Sequence, residues 1–526
     1  NVFVNSALNL QMEGNLSDDL KIAAVITDQN IPYQPEGNTQ QIRDFDNVFI
    51  KLYNDDFEVI AGDIVLQNPV QEGYFLKYYK NVQGLSVGYQ TDLKNGWTST
   101  SHAVGSIAKG QFTSTVIQPQ EGVQGPYKLR GRNGERFVII MANSEKVYLD
   151  GQLLQRGFDR DYVIDYNLGE ITFSNTTVIT QYSRIRVDYE FANQYYSRSN
   201  LSASQQFSKG KTNIYFNVYR ETDNRNSSLA FDLDNEDKIA LSQVGDVNGL
   251  AQISGVDSTG YIENAILYAR RQSGEEVYYE MSTNPSEAVY QIGFTEVGEG
   301  NGSYVLSEST SNGRIYQWVG ASQGNYEPIQ QIPAPNQRQM VVTGAQVAVN
   351  EYESIFTEIA ISNQDQNLFS ELNDDDNQGL ATKVAVRSNG RKLVSNYQLQ
   401  SELSFEFNSD QFAFIDRFRT VDFDRDLGYD YFSDTLTSRQ DLITRLQIGL
   451  RQDFQNQVSL DLSNRNRTNV VNGNKLEGVL NKRLGVFQFT SNHFLMSNQF
   501  GAYESKWTKS YDQLQLVDWV LRPGYR

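Results

Sequence analysis

Chemistry has few places to start in this chain. Of its 526 residues two are histidines and none is cysteine. That removes disulfides, thiolate nucleophiles, thiolate metal sites and paired-histidine metal motifs. His102 follows Ser101 and lies near Ser106, and His493 follows Ser491 and Asn492. A hydroxyl nucleophile would need one of these imidazoles as its base, and a third group to orient the ring. Serine is common in polar strands, so each histidine reads more simply as an ordinary strand residue, and no catalytic residue is assigned.

Oxygen ligands are more plentiful. Asp374, Asp375, Asp376 and Asn377 form one acidic run, and Asp232, Asp234 and Glu236 another. Either could offer hard ligands to Ca²⁺, but neither has the spacing of an EF-hand loop, and solvated acidic loops explain both. No cofactor and no metal is therefore expected. Lys128, Arg130, Arg132 and Arg136 make a short basic cluster that could meet lipopolysaccharide phosphates or an acidic partner, or simply form a solvated face. The net charge is -19, and no basic stripe stands out. A nucleic-acid partner is excluded on that ground. Nucleotide chemistry also lacks its signature, since no glycine-rich loop opens a helix.

The elements that would position these residues are strands. Mean hydropathy is -0.53, and no window approaches the roughly 20 apolar residues of a membrane helix. A membrane barrel remains open, because its strands need only about 10 residues with every second one apolar. Residues 201–219 show this pattern plainly. Leu201, Ala203 and Phe207 alternate with Ser202, Ser204 and Gln206, and Ile214, Phe216 and Val218 alternate with Asn213, Tyr215 and Asn217. Ser208-Lys209-Gly210-Lys211 closes the pair. Further on, Tyr397, Leu399, Leu403, Phe405 and Phe407 share a face with Ser401, opposite Gln398, Gln400, Glu402, Ser404 and Glu406. Leu201, Ile214, Phe216, Val218, Leu399, Leu403 and Phe405 are accordingly expected to face the bilayer. Tyr215, Tyr219, Tyr397 and Phe407 are expected in the aromatic girdles at its interfaces.

Loop lengths sharpen the expectation. Tight turns fall near Ser17, Asp55, Asn95, Gly210, Tyr352, Gly390, Phe454 and Arg483, with longer connections between them. A soluble sandwich has no reason to sort its loops this way, whereas outer-membrane barrels carry short turns on the periplasmic side and long loops outside. The sequence thus predicts an all-β fold: a transmembrane antiparallel outer-membrane β-barrel of about 16 strands or more, with two large extracellular β-rich inserts. Residues 1–118 would supply the first barrel strands, the last of them a long one ending near Ile117. Residues 119–196 would form a small β domain, 197–221 a barrel hairpin, and 222–338 a second insert with a short helix at 235–241. Residues 339–526 would supply the remaining strands, and their less regular end suggests that the barrel is incomplete there. The strand-like opening Asn1-Val2-Phe3-Val4 reads as part of a longer exported protein.

The segment Tyr148-Leu149-Asp150-Gly151-Gln152-Leu153-Leu154-Gln155-Arg156-Gly157, with Asp161-Tyr162-Val163-Ile164-Asp165-Tyr166-Asn167-Leu168-Gly169-Glu170-Ile171-Thr172-Phe173 after it, resembles large outer-membrane barrels of Bacteroidota. Similar phrases occur in SprA-like translocon barrels of the type 9 secretion and gliding machinery. Residues 9–46, including Pro35-Glu36-Gly37-Asn38-Thr39-Gln40-Gln41, resemble an uncharacterised family of large Bacteroidota barrels. This resemblance implies location and architecture more than activity, and the chain is much shorter than a complete SprA-like protein.

The leading expectation is a non-enzymatic outer-membrane barrel acting within a multiprotein envelope assembly for protein export or outer-membrane biogenesis. Its inserts would bind other outer-membrane or surface proteins, since binding residues concentrate on loops held by a rigid scaffold. Tyr148, Arg156, Tyr162 and Tyr166 are the candidate contacts in the first insert, and the bilayer and lipopolysaccharide are the lipid partners. A solute channel is the alternative, with Gln398, Gln400, Glu402 and Glu406 lining its path. A soluble secreted adhesin would be the third.

Overall fold

A computed structural model describes residues 9–27, 47–108, 110–131, 138–141, 143–192, 196–228, 233–246, 251–274, 276–310, 312–393, 396–421, 423, 439–501 and 503–516. They divide into two compact units. The larger comprises Asn1–Asn224, Gln337–Gln364 and Asp375–Arg526, the smaller Arg225–Asn336 and Asp365–Asp374.

The larger unit is built on a 17-stranded sheet. Its strands are Asn9–Asn15, Lys21–Thr27, Asn47–Tyr53, Phe57–Gln67, Tyr79–Asp92 and Thr98–Ala108, then Tyr196–Lys209 and Thr212–Ser228, then Gln337–Ala348, Glu353–Asp365, Gln378–Lys392 and Gln398–Asn408, and finally Asp441–Asp453, Asn456–Arg467, Val471–Leu484, Phe487–Phe500 and Tyr503–Leu516. Pairing is antiparallel along this succession, with Thr98–Ala108 taking up Tyr196–Lys209 across the first insert and Thr212–Ser228 taking up Gln337–Ala348 across the second. Three of the short turns share one local cause. The side chains of Asn54, Asn350 and Asp453 each accept hydrogen bonds from the backbone N–H groups two and three residues on. These Asx turns reverse the chain within a few residues.

The sorting of loop lengths is present for most of the sheet, with two differences. The turn expected at Gly390 lies between Lys392 and Gln398, while Gly390 sits inside a strand with φ +85°, where the register shifts between Asn389 and Arg391. Near the end of the chain, Arg467 to Val471 and Phe500 to Tyr503 are also short connections, so the last strands are tightly joined at both ends.

The expected long strand ending near Ile117 breaks at Ala108. Gln111–Ile117 pairs instead with Ile185–Phe191 inside the small domain. Gly110 marks the break, where a side chain would run into Met141. The domain folds as a four-stranded and a three-stranded sheet around one apolar core that includes Leu129, Val147, Ile171, Ile185 and Val187.

In the smaller unit, the helix Asn235–Gln243 begins on a capping box made by Asp234 and Asp237, and buries Leu241 against Ala251 and Ile332. Two four-stranded sheets follow. An aromatic cluster in this unit includes Tyr268, Phe294, Tyr304 and Tyr316, the Phe294 and Tyr316 rings stacked at 4.5 Å. No helix among the described residues is long and apolar enough to cross a membrane, which says nothing about strands.

Candidate functional site: the covered face of the large sheet

The two faces of the sheet are inverted relative to a water-soluble protein. Alternation puts one face outward, and there Leu201 (52% exposed), Phe216 (49%), Phe405 (49%), Ile214 and Leu403 stand open, as do Ile355, Ile359, Leu380 and Val384. Val218 and Leu399 occupy the same face half-buried. Every candidate lipid-facing residue therefore lies on the apolar outer face. The opposite face is covered, and it carries Arg198, Asn200, Ser202, Asn217, Glu221, Asp223, Glu358 (0% exposed), Lys383 and Glu406. Buried charges persist only when paired and hydrogen-bonded.

That pairing is dense. Arg198 donates to Glu221 at 2.7 Å and to both oxygens of Asp223 at 2.7 and 2.9 Å. Lys80 lies 3.4 Å from Glu221 and 3.2 Å from Asp416. Asp441 accepts from Arg465 and Arg467. Tyr215 and Tyr219 belong to this network, donating to Glu358 and Glu221, and are among the most deeply buried side chains. This corrects their expected place in the aromatic girdles: their positions in the alternation put them on the polar face, where each hydroxyl finds a carboxylate.

Two connections supply much of the cover. Residues 68–78 bury Val70, Phe75, Leu76 and Tyr78, and the backbone N–H groups of Tyr74 and Phe75 donate to Glu358. Residues 409–421 bury Ile415, whose carbonyl accepts from Arg338 at 2.9 Å. These two straps meet through the Tyr74–Phe418 and Phe75–Phe412 ring contacts at 4.9 and 5.7 Å. The second strap presses on the sheet at Gly379, where a Cβ would stand 2.2 Å from the Cα of Phe412. Glu406, expected to line a solute path, pairs with Arg419 and accepts from the Tyr74 hydroxyl at 2.6 Å.

The small domain joins the same network. Arg417 of the second strap donates to Asp188 at 2.6 Å and packs its guanidinium over Tyr148 at 5.0 Å. Glu190 is buried near Lys80, and burial together with Asp416 and Glu221 pushes its carboxyl up to about 7 against the pull of Lys80. The same burial raises the Asp416 carboxyl.

The candidate partner contacts in the first insert are therefore used internally. Tyr162 lies in the domain core, 3% exposed. Glu145 accepts from Tyr166 and Arg156, and Arg156 also donates to Asn143 at 2.7 Å. Tyr148 faces Arg417. Alternation alone could not reveal this, because the buried partner Glu145 sits in an irregular segment outside any strand.

Neither histidine makes a relay. His102 Nε2 meets Ser86 Oγ of the adjacent strand at 3.0 Å, while Ser101 points to the opposite face. His493 has Ser491 at Nε2 and Ser510 at Nδ1, 2.9 and 3.1 Å away, while Asp512 lies 3.6 Å from Nε2 rather than behind the ring. Asp234 is a helix cap, and Asp232 lies outside the described residues, as do Arg132, Arg136 and the 35–41 stretch. Lys128 pairs with Glu170 at 3.3 Å. Asp374 instead approaches Asp246 and Asp365 within the smaller unit, their carboxylates within 4.8 Å of one another.

Residues 112–193, the small domain, match the model of a family described as a domain of unknown function, DUF8818. No curated protein matches the chain. Among solved structures, the P pilus usher PapC translocation pore aligns over 97% of this chain and 95% of its own, at 7% identity and a TM-score of 0.16. That likeness is too slight to bear on this chain's role.

Proposed function

We propose that the chain is an outer-membrane β-barrel protein that acts as a non-enzymatic component of a multiprotein envelope assembly for protein export or outer-membrane biogenesis. The inverted sheet carries the membrane reading. In water, so many contiguous exposed Val, Ile, Leu and Phe side chains would make an aggregation surface. In a bilayer they are the expected band, and backbone pairing along strands satisfies the groups that lipid cannot. The two straps across the covered face favour a structural component over an open solute channel, because they occupy the position Glu406 would need for a path. The resemblance of residues 148–173 to SprA-like barrels of Bacteroidota supports an export setting, and the smaller unit offers a folded body for partner proteins.

The test is fractionation followed by mild-detergent recovery of the native protein, with co-purifying proteins identified by mass spectrometry. Recovery from the outer membrane with several envelope proteins at fixed ratios is the expected result. A protein that stays soluble without detergent overturns the membrane reading. Recovery from the membrane alone overturns the assembly reading, and conductance in a planar bilayer would then favour the channel.

A further inference from the structure

One part of the large sheet's inner face is left open by the described residues. A cavity of about 860 Å³ is walled by the strands Val471–Leu484, Phe487–Phe500 and Tyr503–Leu516, by Tyr148 and Gly151 of the small domain, and by the second strap at Arg417, Thr420 and Val421. That volume is near the top of the range of about 300–1,000 Å³ typical of small-molecule sites. Cross-strand register builds its floor. Glu477, Phe494 and Lys509 stand side by side across three strands, and Lys475, Met496 and Trp507 form the next row. The Phe494 and Trp507 rings meet at 4.6 Å, and Tyr511 lies beside Asn492.

The charges are unevenly committed. Arg417 is held by Asp188, and Lys475 by Glu477 at 2.7 Å and by the Phe494 ring, whose centre lies 5.4 Å from its Nζ. Lys509 has neither an ion pair nor a hydrogen bond among the described residues, so the cavity of this acidic protein offers an uncommitted cation beside aromatic faces. We infer that the cavity binds an acidic saccharide, with sugar C–H groups packed along the Phe494–Trp507 pair and the carboxylate or phosphate on Lys509. The floor asks for a ligand that is apolar on one face, hydrogen-bonding at its rim and negatively charged. A nucleotide fits poorly, since no helix N-terminus among the described residues lines the cavity and Arg417 already donates to Asp188 and to the Arg419 carbonyl. An extended peptide would look for a strand edge, whereas this floor is the face of paired strands.

The inference rests on the cavity alone and stands whether or not the sheet spans a membrane. Its test is calorimetric titration of the full-length protein in detergent with three probes: an oligogalacturonate, a deacylated phosphorylated lipopolysaccharide core oligosaccharide, and neutral maltotetraose. Binding of at least one acidic probe is expected, weakened by salt, with no binding of maltotetraose. Which acidic probe binds distinguishes carboxylate from phosphate as the recognised group. Lys509→Gln is expected to weaken binding about tenfold or more. Trp507→Phe keeps a ring and is expected to weaken it less. Failure of both acidic probes to bind the folded protein overturns the inference. So does binding of maltotetraose with equal strength, or binding unchanged in both variants.

Discussion

The covered face behaves differently at its two ends. Around Arg198, Glu221, Lys80 and Glu358 the straps and the small domain press down, and each of these charged groups is consumed by a neighbour in the fold. Around Lys509 and Tyr511 the described residues leave the same face open, and Lys509 has no ion pair or hydrogen bond among them. For the charged groups, the same alternation of strands therefore yields structural pairs where protein covers it and a spare cation where the described residues do not. Polar positions in a strand cannot be assigned a role until their cover is known.

The sharpest break in this comparison is Arg198→Met, which strands Glu221 and Asp223 in the interior. Loss of a buried partner costs about 3–5 kcal/mol, so a large fall in thermal unfolding temperature in detergent is expected. A small fall would mean that water reaches this end too. The outer face offers the next test. Leu403→Arg near the middle of its strand is expected to cost about 2–4 kcal/mol in a bilayer, measured by folding yield into lipid vesicles. If folding is unaffected, lipid does not cover that face.

A smaller effect belongs to Glu190. An acid whose pKa is raised on folding stabilises the folded state fully below its unfolded value, and that contribution is lost as pH rises through the folded one. The window here runs from 4.5 to about 7. The folded protein is expected to be more stable near pH 5 than near pH 8, by on the order of 1–3 kcal/mol, and Glu190→Gln should flatten that dependence in thermal melts. An unchanged pH profile in the variant would assign the effect to other groups. The smallest change is expected from Lys509→Gln, within about 0.5 kcal/mol in stability, because this lysine holds no other described residue in place. A marked loss of stability would place it among the committed groups of the other end.

Much of the sheet was legible because its outer face alternates cleanly. Residues 397–407 and the hairpin closed at Gly210 lie where the pattern put them, and the helix after Asp234 is signalled by its acidic cap. The strand Tyr503–Leu516 was not found. The side chains paired with the outer face of its neighbour are Leu514, Asp512, Ser510, Thr508 and Lys506, so polarity barely alternates there. In the sequence the straps are simply two of the longer connections, since nothing local in residues 68–78 announces that their N–H groups will meet a glutamate 284 residues away. Tyr215 and Tyr219 depart from the girdle expectation because tyrosine suits an interface and a buried hydrogen bond equally well, and only the carboxylate on the covered face decides.

The contact at Gly379 gives the second strap a mechanical character that its ion pairs do not. With the bare backbone of Gly379 lying against Phe412, the strap is seated by clearance, and a single methyl group there would act as a wedge. Gly379→Ala adds no charge and leaves every carboxylate and cation of the covered face in place. The strap can thus be prised from its seat by bulk alone, which separates how firmly the cover is fitted from how strongly it is attracted.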